Sequence, residues 1–170
     1  MKALEKFSSR FKGTFFTALL LVLGFAHAAW AGDDWSLKDK DGTHYTLSNL
    51  QGRWVLVNFW APWCLPCIQE MPDLVALQQQ HKDLQVIGVA VMYGSRKEVM
   101  DMVSKLSISY PVVFGNEDTA GDFGGLDGLP TSFLYSPSGK LVGHHQGILT
   151  QSEIEQAMAQ KPGSAALFAR

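Results

Sequence analysis

The sequence predicts an α/β domain whose central mixed sheet is parallel in part and closes with an antiparallel pair. Three observations lead there. "RWVLVNFW", residues 53–60, has the unbroken branched and aromatic content of a strand buried on both faces. Two helix-periodic segments then alternate with a second such run, "LQVIGVAVM" at 84–92. Finally, "PTSFLYSPSGKLVGHH" reads as two antiparallel strands joined by a turn over Pro137 to Gly139. A chain of 170 residues, 46% of them hydrophobic, suits one well-packed core.

The chain opens with an export signal. Lys2, Lys6, Arg10 and Lys12 precede the apolar run "TFFTALLLVLGFA" of 14–26, and small residues follow as Ala26-His27-Ala28 and Ala29-Trp30-Ala31. The 13-residue run is short of the roughly 20 that cross a bilayer as a helix. Cleavage after Ala31 is favoured, giving a signal peptide of 1–31 and a domain of 32–170. The rival reading is an uncleaved anchor over 14–31, and membrane association belongs to that reading alone. His27 inside the segment argues against it.

After the signal, "DDWSLKDKDGTHYTLSNLQG" is polar and rich in turns, with Asp41-Gly42 linking short strands at 35–37 and 43–47. Gly52 ends this prelude before the first buried strand. From Leu65 to about Lys82, Ile68, Met71, Leu74, Val75 and Leu77 follow helical spacing, with Pro72 inside predicting a kink near the first turns. In "SRKEVMDMVSKLS", Val99, Met102, Val103 and Leu106 mark a second amphipathic helix. "YPVVF" at 110–114 is a short strand, and "GNEDTAGDFGGLDG" a loop with one short helix. Thr150-Gln151-Ser152-Glu153 has the capping-box pattern and opens a last helix that ends before Pro162-Gly163.

Charge narrows the function. Without residues 1–31, four of the 14 basic residues and Glu5 of the 16 acidic ones are gone, leaving 10 and 15, a net charge of −5. Nucleic acid is a poor partner for such a surface. Two cysteines in an exported domain of this size do not make a disulfide scaffold, so stability must come from packing.

Both cysteines fall in "FWAPWCLPCIQEMP", residues 59–72. Zinc wants four ligands and a single C-x-x-C supplies two; His44, His81, His144 and His145 stand at no ligand spacing from them, so no metal site is expected. A disulfide enclosing two residues removes little chain entropy, which makes it a poor staple. A dithiol whose first cysteine starts a helix is another matter. Free backbone N–H groups and the positive dipole end favour thiolate there, lowering a thiol pKa from ~8.5 toward ~3.5 to 7.5. Cys64 is then the nucleophile, and Cys67, about a turn inward, attacks the mixed disulfide and expels the substrate thiol. No cofactor is called for.

With "VLVNFWAPWC", the "WCLPC" pair, "EMP" after it, "GLPTSFLYSPSGKLV" and the late glycine of "HHQG" in order over roughly residues 35–160, the chain resembles the thioredoxin superfamily. More narrowly it is similar to the exported TlpA/ResA/DsbE-type thiol-disulfide oxidoreductases. The resemblance implies a thioredoxin fold with an N-terminal β-hairpin extension, and thiol-disulfide exchange through a redox-active Cys64-Cys67 disulfide, Cys64 exposed and Cys67 buried. Pro66 would shape the helix start. Pro130 falls where the family keeps a cis-proline beside the cysteines, a geometry cheap only for X-Pro bonds, and Leu129 would offer its N–H and C=O to an extended substrate segment. From residue type alone, Pro130 reads as a turn proline starting a strand.

Glu70, three residues after Cys67, shares its helix face. In ResA-like members a glutamate here is implicated in proton handling; buried beside thiols its pKa would rise and it could relay protons. The alternative is a solvated surface acid, the commoner fate of glutamate. Asn58 stands where thioredoxin itself has an aspartate, which shifts any proton role toward Glu70. Trp60 and Trp63 flank the site, with docking or aromatic packing as their roles, packing foremost. Met92, Met100 and Met102 read as core fillers and His144-His145 as a surface pair. Leu65 brings no charge, and no histidine precedes Cys67 as in strongly oxidising members, which tilts the reading toward a reductase, although potentials of such pairs span about −120 to −270 mV.

The expectation is therefore a periplasmic disulfide reductase, kept reduced by a membrane electron donor and acting on cysteine pairs of other exported proteins, apocytochrome c first. The alternatives are a thiol oxidase working in the opposite direction and a copper-delivery module using Cys64, Cys67 and a histidine, whose relatives space their cysteines one residue further apart. A peroxidase of the peroxiredoxin type needs a threonine three residues before the reactive cysteine, where Ala61 stands.

Overall fold

The computed structural model describes residues 34–159. The predicted signal or anchor and the tail "SAALFAR" lie outside the described residues. Strands β1 (Ser36–Lys38) and β2 (His44–Thr46) pair antiparallel as a separate two-stranded sheet. Asp39 fixes their turn: Oδ1 accepts from the Asp41 N–H (2.9 Å) and the Thr43 N–H (2.8 Å), while Gly42 supplies the left-handed backbone (φ 90°) that glycine adopts without penalty. A 3-10 turn at Ser48–Leu50 was not anticipated. It is closed by Thr46 and Asn49, each side-chain oxygen accepting the other's backbone N–H, and three residues are too few to show a period.

The main sheet runs β5-β4-β3-β6-β7. Its centre is β3 (Trp54–Trp60), buried at every position, parallel to β4 (Leu84–Ala90) and antiparallel to β6 (Thr131–Tyr135). Outside these lie β5 (Val112–Phe114), parallel to β4, and β7 (Leu141–Gln146), antiparallel to β6. This is the mixed sheet expected from the sequence, each predicted strand lying within a few residues of its place.

Alternation along β3 sends its side chains into two cores. Leu56 and Trp60 pack with α1 (Leu65–Gln80), α2 (Arg96–Lys105) and α4 (Gln151–Ala159) through Met71, Leu74, Leu77, Val99, Val103, Ile154 and Ala157. Val55, Val57 and Phe59 face an aromatic layer of Trp35, Phe133 and Phe123, the last lying just beyond α3 (Glu117–Gly121). The α1 helix continues through Pro72 rather than stopping there; Pro72 lies on the exposed side, where its missing N–H leaves no buried group unpaired. The capping box expected for α4 is present, Glu153 Oε2 accepting from the Thr150 N–H (2.9 Å) and Thr150 Oγ1 from the Glu153 N–H (3.3 Å).

Register places Asn58 between Gly88 of β4 and Ser132 of β6. These three lie in a row beneath α1. At Gly88 a β-carbon would come within 2.9 Å of Tyr110 Cε2 and 3.2 Å of Trp60 Nε1, so glycine is what lets the two rings close over the sheet. Gly88→Ala should lower unfolding stability by about 1 to 3 kcal/mol in urea titration, through overpacking against two buried rings.

Candidate active site

The redox pair sits where β3 hands over to α1. After Trp60 the chain turns tightly, the Cys64 N–H donating to the Ala61 carbonyl (3.0 Å), and Cys64 becomes the N-cap of α1 with Pro66 in its first turn. Cys64 and Cys67 are joined as a disulfide with their Cα atoms 5.3 Å apart. Cys64 Sγ also accepts from the Cys67 N–H (3.3 Å), one of the N–H groups that the start of a helix leaves without an intrahelical partner. That donor and the helix dipole would stabilise a thiolate at Cys64 once the bond is opened.

Access is narrower than the expectation of an exposed Cys64. Cys64 is 4% exposed and Cys67 not at all, because in the disulfide the Cys64 sulfur folds back over the helix start. The rim supplies the exposed surface instead. Trp63 is 61% exposed, its indole N–H donating to the Met92 carbonyl (2.7 Å), and Leu65 and Pro66 are exposed beside it. For Trp63 this corrects the reading of buried packing: the hydrogen bond holds the ring at the surface, whereas Trp60 is fully buried. Met92 likewise is no core filler, since it is exposed at positive φ (50°) just past β4, while Met100 and Met102 pack against the core.

The Leu129-Pro130 peptide, just before β6, is cis. Pro130 is buried and its carbonyl accepts from the Gly147 N–H (2.8 Å), which ties this segment to the end of β7. Leu129 is half-buried against both cores. Among the described residues no backbone partner takes its N–H or C=O.

Glu70 is 1% exposed, which settles its burial against the surface reading. Its Oε1 accepts from Asn58 Nδ2 at 2.6 Å and its Oε2 from the Leu149 N–H at 3.0 Å. Asn58 Nδ2 donates its second hydrogen to Ser132 Oγ (3.0 Å). Burial pushes the Glu70 pKa up to about 7; the Leu149 N–H and the Asn58 amide pull it down, and the Asp73 carboxylate adds to the rise. Tyr110 is buried in the same core, and its phenol is pushed above its ordinary value, first by burial and then by the charge of Glu70. Glu70 and Cys67 thus share one buried helix face, and the acid is poised near neutral pH.

Ser132, Leu149 and Tyr110 were not foreseen as part of this arrangement. Ser132 could have been found, since it follows Pro130 by two residues and β6 must pair with β3; an N–H at Leu149 leaves no trace in composition or periodicity. Among the described residues no three His, Cys, Asp or Glu side chains gather as a metal site, and no helix is long and apolar enough to cross a membrane.

Comparison with known proteins agrees with this geometry. Residues 31–144 match the AhpC/TSA family. The thiol-disulfide oxidoreductase ResA of Bacillus subtilis is 36% identical over 129 residues, 75% of this chain and 72% of that one. The thioredoxin-like protein YneN of the same organism is 32% identical over 128 residues, 74% of this chain and 75% of that one. Among solved structures, a thiol:disulfide interchange protein of the thioredoxin family from Chlorobium tepidum superposes with a TM-score of 0.66 at 29% identity, covering 74% of this chain and 90% of that one. A secreted thiol-disulfide isomerase from Corynebacterium glutamicum shares the fold, with a TM-score of 0.68 at 23% identity over 74% of this chain and 81% of that one.

A stability measurement tests the buried acid. An acid raised from 4.5 to about 7 is neutral in the folded state where the unfolded state is already ionised, so stability falls as pH rises between those values. From pH 4 to 8 the wild type should lose on the order of 3 kcal/mol through this group, and Glu70→Gln should flatten that part of the profile in denaturant titrations at each pH.

Proposed function

The chain belongs to the AhpC/TSA family and, within it, to the thiol-disulfide oxidoreductases of the ResA type, and from that premise we propose that it is an exported disulfide reductase acting on cysteine pairs of other exported proteins. The observation that carries this reading is the Cys64–Cys67 disulfide at the start of α1, with buried Glu70 about one helical turn beyond Cys67. Thiol-disulfide exchange itself follows from the family; direction, substrate and proton route are the proposal.

In the reduced protein, the Cys64 thiolate attacks one sulfur of a substrate disulfide, forming a mixed disulfide and releasing one substrate thiolate. Cys67 gives its thiol proton to the Glu70 carboxylate. The Cys67 thiolate then attacks Cys64 Sγ, forming the Cys64–Cys67 bond and releasing the second substrate thiolate, so that two electrons have passed to the substrate. The released thiolates take protons from solvent. Glu70 is suited to the transfer because a group with a pKa of about 7 accepts and returns a proton at neutral pH. The oxidised protein is restored by two electrons from a thiol-reducing membrane donor.

Substrate contact falls to the rim. Trp63 and Pro66 form the exposed wall on one side, and the Leu129 backbone faces the incoming segment on the other, with cis-Pro130 setting its course. Leu65-Pro66 between the cysteines brings no imidazole to stabilise the Cys64 thiolate further, which favours a reductant over an oxidant. Periplasmic localisation is supported by the charged and apolar pattern of residues 1–31, and apocytochrome c, with its paired cysteines, is the first substrate to test.

Cys67→Ala should accumulate mixed disulfides through Cys64 that nonreducing gels resolve, at least tenfold above wild type; no trapped partner would reject the two-step exchange. Alkylation of thiols in intact cells should find the Cys64 and Cys67 pair mostly reduced at steady state. A mostly oxidised pair would reverse the assigned direction.

A further inference from the structure

The buried network around Glu70 holds one more piece of chemistry, and this deepens the proton-relay reading just given and rests on it. As the network stands, Glu70 is an acceptor on both oxygens, and Asn58 Nδ2 spends its two hydrogens on Glu70 Oε1 (2.6 Å) and Ser132 Oγ (3.0 Å). Asn58 Oδ1 is buried and has no hydrogen-bond partner among the described residues. This arrangement suits the carboxylate. It does not fit an acid protonated on Oε1, where the proton would point a second donor at Nδ2 across 2.6 Å.

We propose that Asn58 and Ser132 are positioning residues for Glu70, the Asn58 amide turning over by half a rotation each time Glu70 takes up or gives back its proton. In the turned state Oδ1 stands where Nδ2 stood, between Glu70 and Ser132. It accepts from the Glu70 O–H and from the Ser132 hydroxyl, which reverses from acceptor to donor. Both states then keep two hydrogen bonds in the row. The atom displaced to the unpartnered position changes from an acceptor to a donor group, an exchange of one unmet polar group for another rather than an added loss.

This pairing of residue types serves both protonation states. A leucine at 58 would serve neither protonation state, and an aspartate would accept from the acid but repel the carboxylate. The hydroxyl of Ser132 is equally able to reverse, which a main-chain group is not. The Leu149 N–H on Oε2 is such a fixed donor and stays in place through the cycle. The other titratable groups near Glu70 are Asp73 and Cys67 on its own helix and Tyr110 from the segment before β5. None of them belongs to β3, from which Asn58 reaches Glu70. Because Ser132 lies two residues beyond Pro130, the turnover carries the proton state of Glu70 into the strand that bears the substrate-facing peptide.

Side-chain NMR of the full chain between pH 5 and 9 tests this. The Glu70 carboxyl carbon should titrate, and the Asn58 Nδ2 shift should move with the same midpoint. Nuclear Overhauser contacts from the Asn58 amide protons to the Ser132 β-protons should be present at pH 9 and fall at least threefold at pH 5. A Glu70 that titrates while the Asn58 contacts stay constant would overturn the turnover and leave the proton relay standing. A Glu70 with no titration across this range would overturn both. In Ser132→Ala, which leaves the Asn58–Glu70 contact in place, the contacts from the Asn58 amide protons to the residue 132 β-protons should no longer change between pH 5 and 9; the same threefold fall in the variant would mean that Ser132 takes no part, and would overturn its assignment.

Discussion

One buried carboxyl group organises this domain. Glu70 projects from α1 into the apolar space between helix and sheet, where an unpartnered charge would cost several kcal/mol. It is held by donors from two other places in the chain, the Asn58 side chain on the central strand and the Leu149 backbone just before α4. These contacts are directional, unlike the Met71, Leu74 and Leu77 packing that surrounds them. They fix the rotation of α1 on the sheet, and with it the position of the helix start that holds Cys64. The group that requires a partner at every protonation state also aligns the redox pair.

The two faces of the sheet divide the work. Beneath α1 the row Ser132, Asn58, Gly88 is polar or bare, a gap in an otherwise apolar face that admits a carboxyl group and the edge of the Tyr110 ring. The opposite face is closed by Phe59, Phe123, Phe133 and Trp35, with ring centroids 5.0 to 5.9 Å apart, and Tyr135 and His144 extend the layer at Trp35 and Phe133. Such stacked and edge-to-face rings give a stiff backing. Cys64, Cys67 and Glu70 all lie on the other side, beneath and along α1.

Much of this was legible in the residues. Strand β3 announced itself because burial on both faces requires an unbroken apolar run, and α1 because Met71, Leu74 and Leu77 keep helical spacing. The cysteine pair needed only its spacing and its place at a strand-to-helix junction. Glu70 was half legible: its helix face followed from i,i+3 geometry, but burial depends on Asn58, twelve residues earlier, and on a backbone N–H seventy-nine residues later. No local pattern encodes such a meeting. Trp63 and Met92 were misjudged for a related reason, because residue type favours burial and only the tertiary bond from the indole to the Met92 carbonyl keeps both at the surface. The 3-10 turn at Ser48–Leu50 was invisible because a single turn has no period.

The N-terminal hairpin has a consequence for how this molecule behaves among its own copies. Through the Asp39–Val113 bridge and the Lys40 N–H donated to the Val112 carbonyl (2.8 Å), it occupies hydrogen-bonding positions along β5, an outer strand of the main sheet. At the opposite margin, β7 carries Gly143, His144 and His145 and meets β6 with a register shift near Tyr135. Both margins are therefore poor templates for the strand-to-strand polymerisation to which open sheets are prone. The domain is thus guarded at both sheet margins against recruiting other strands, its own copies included, into fibrils.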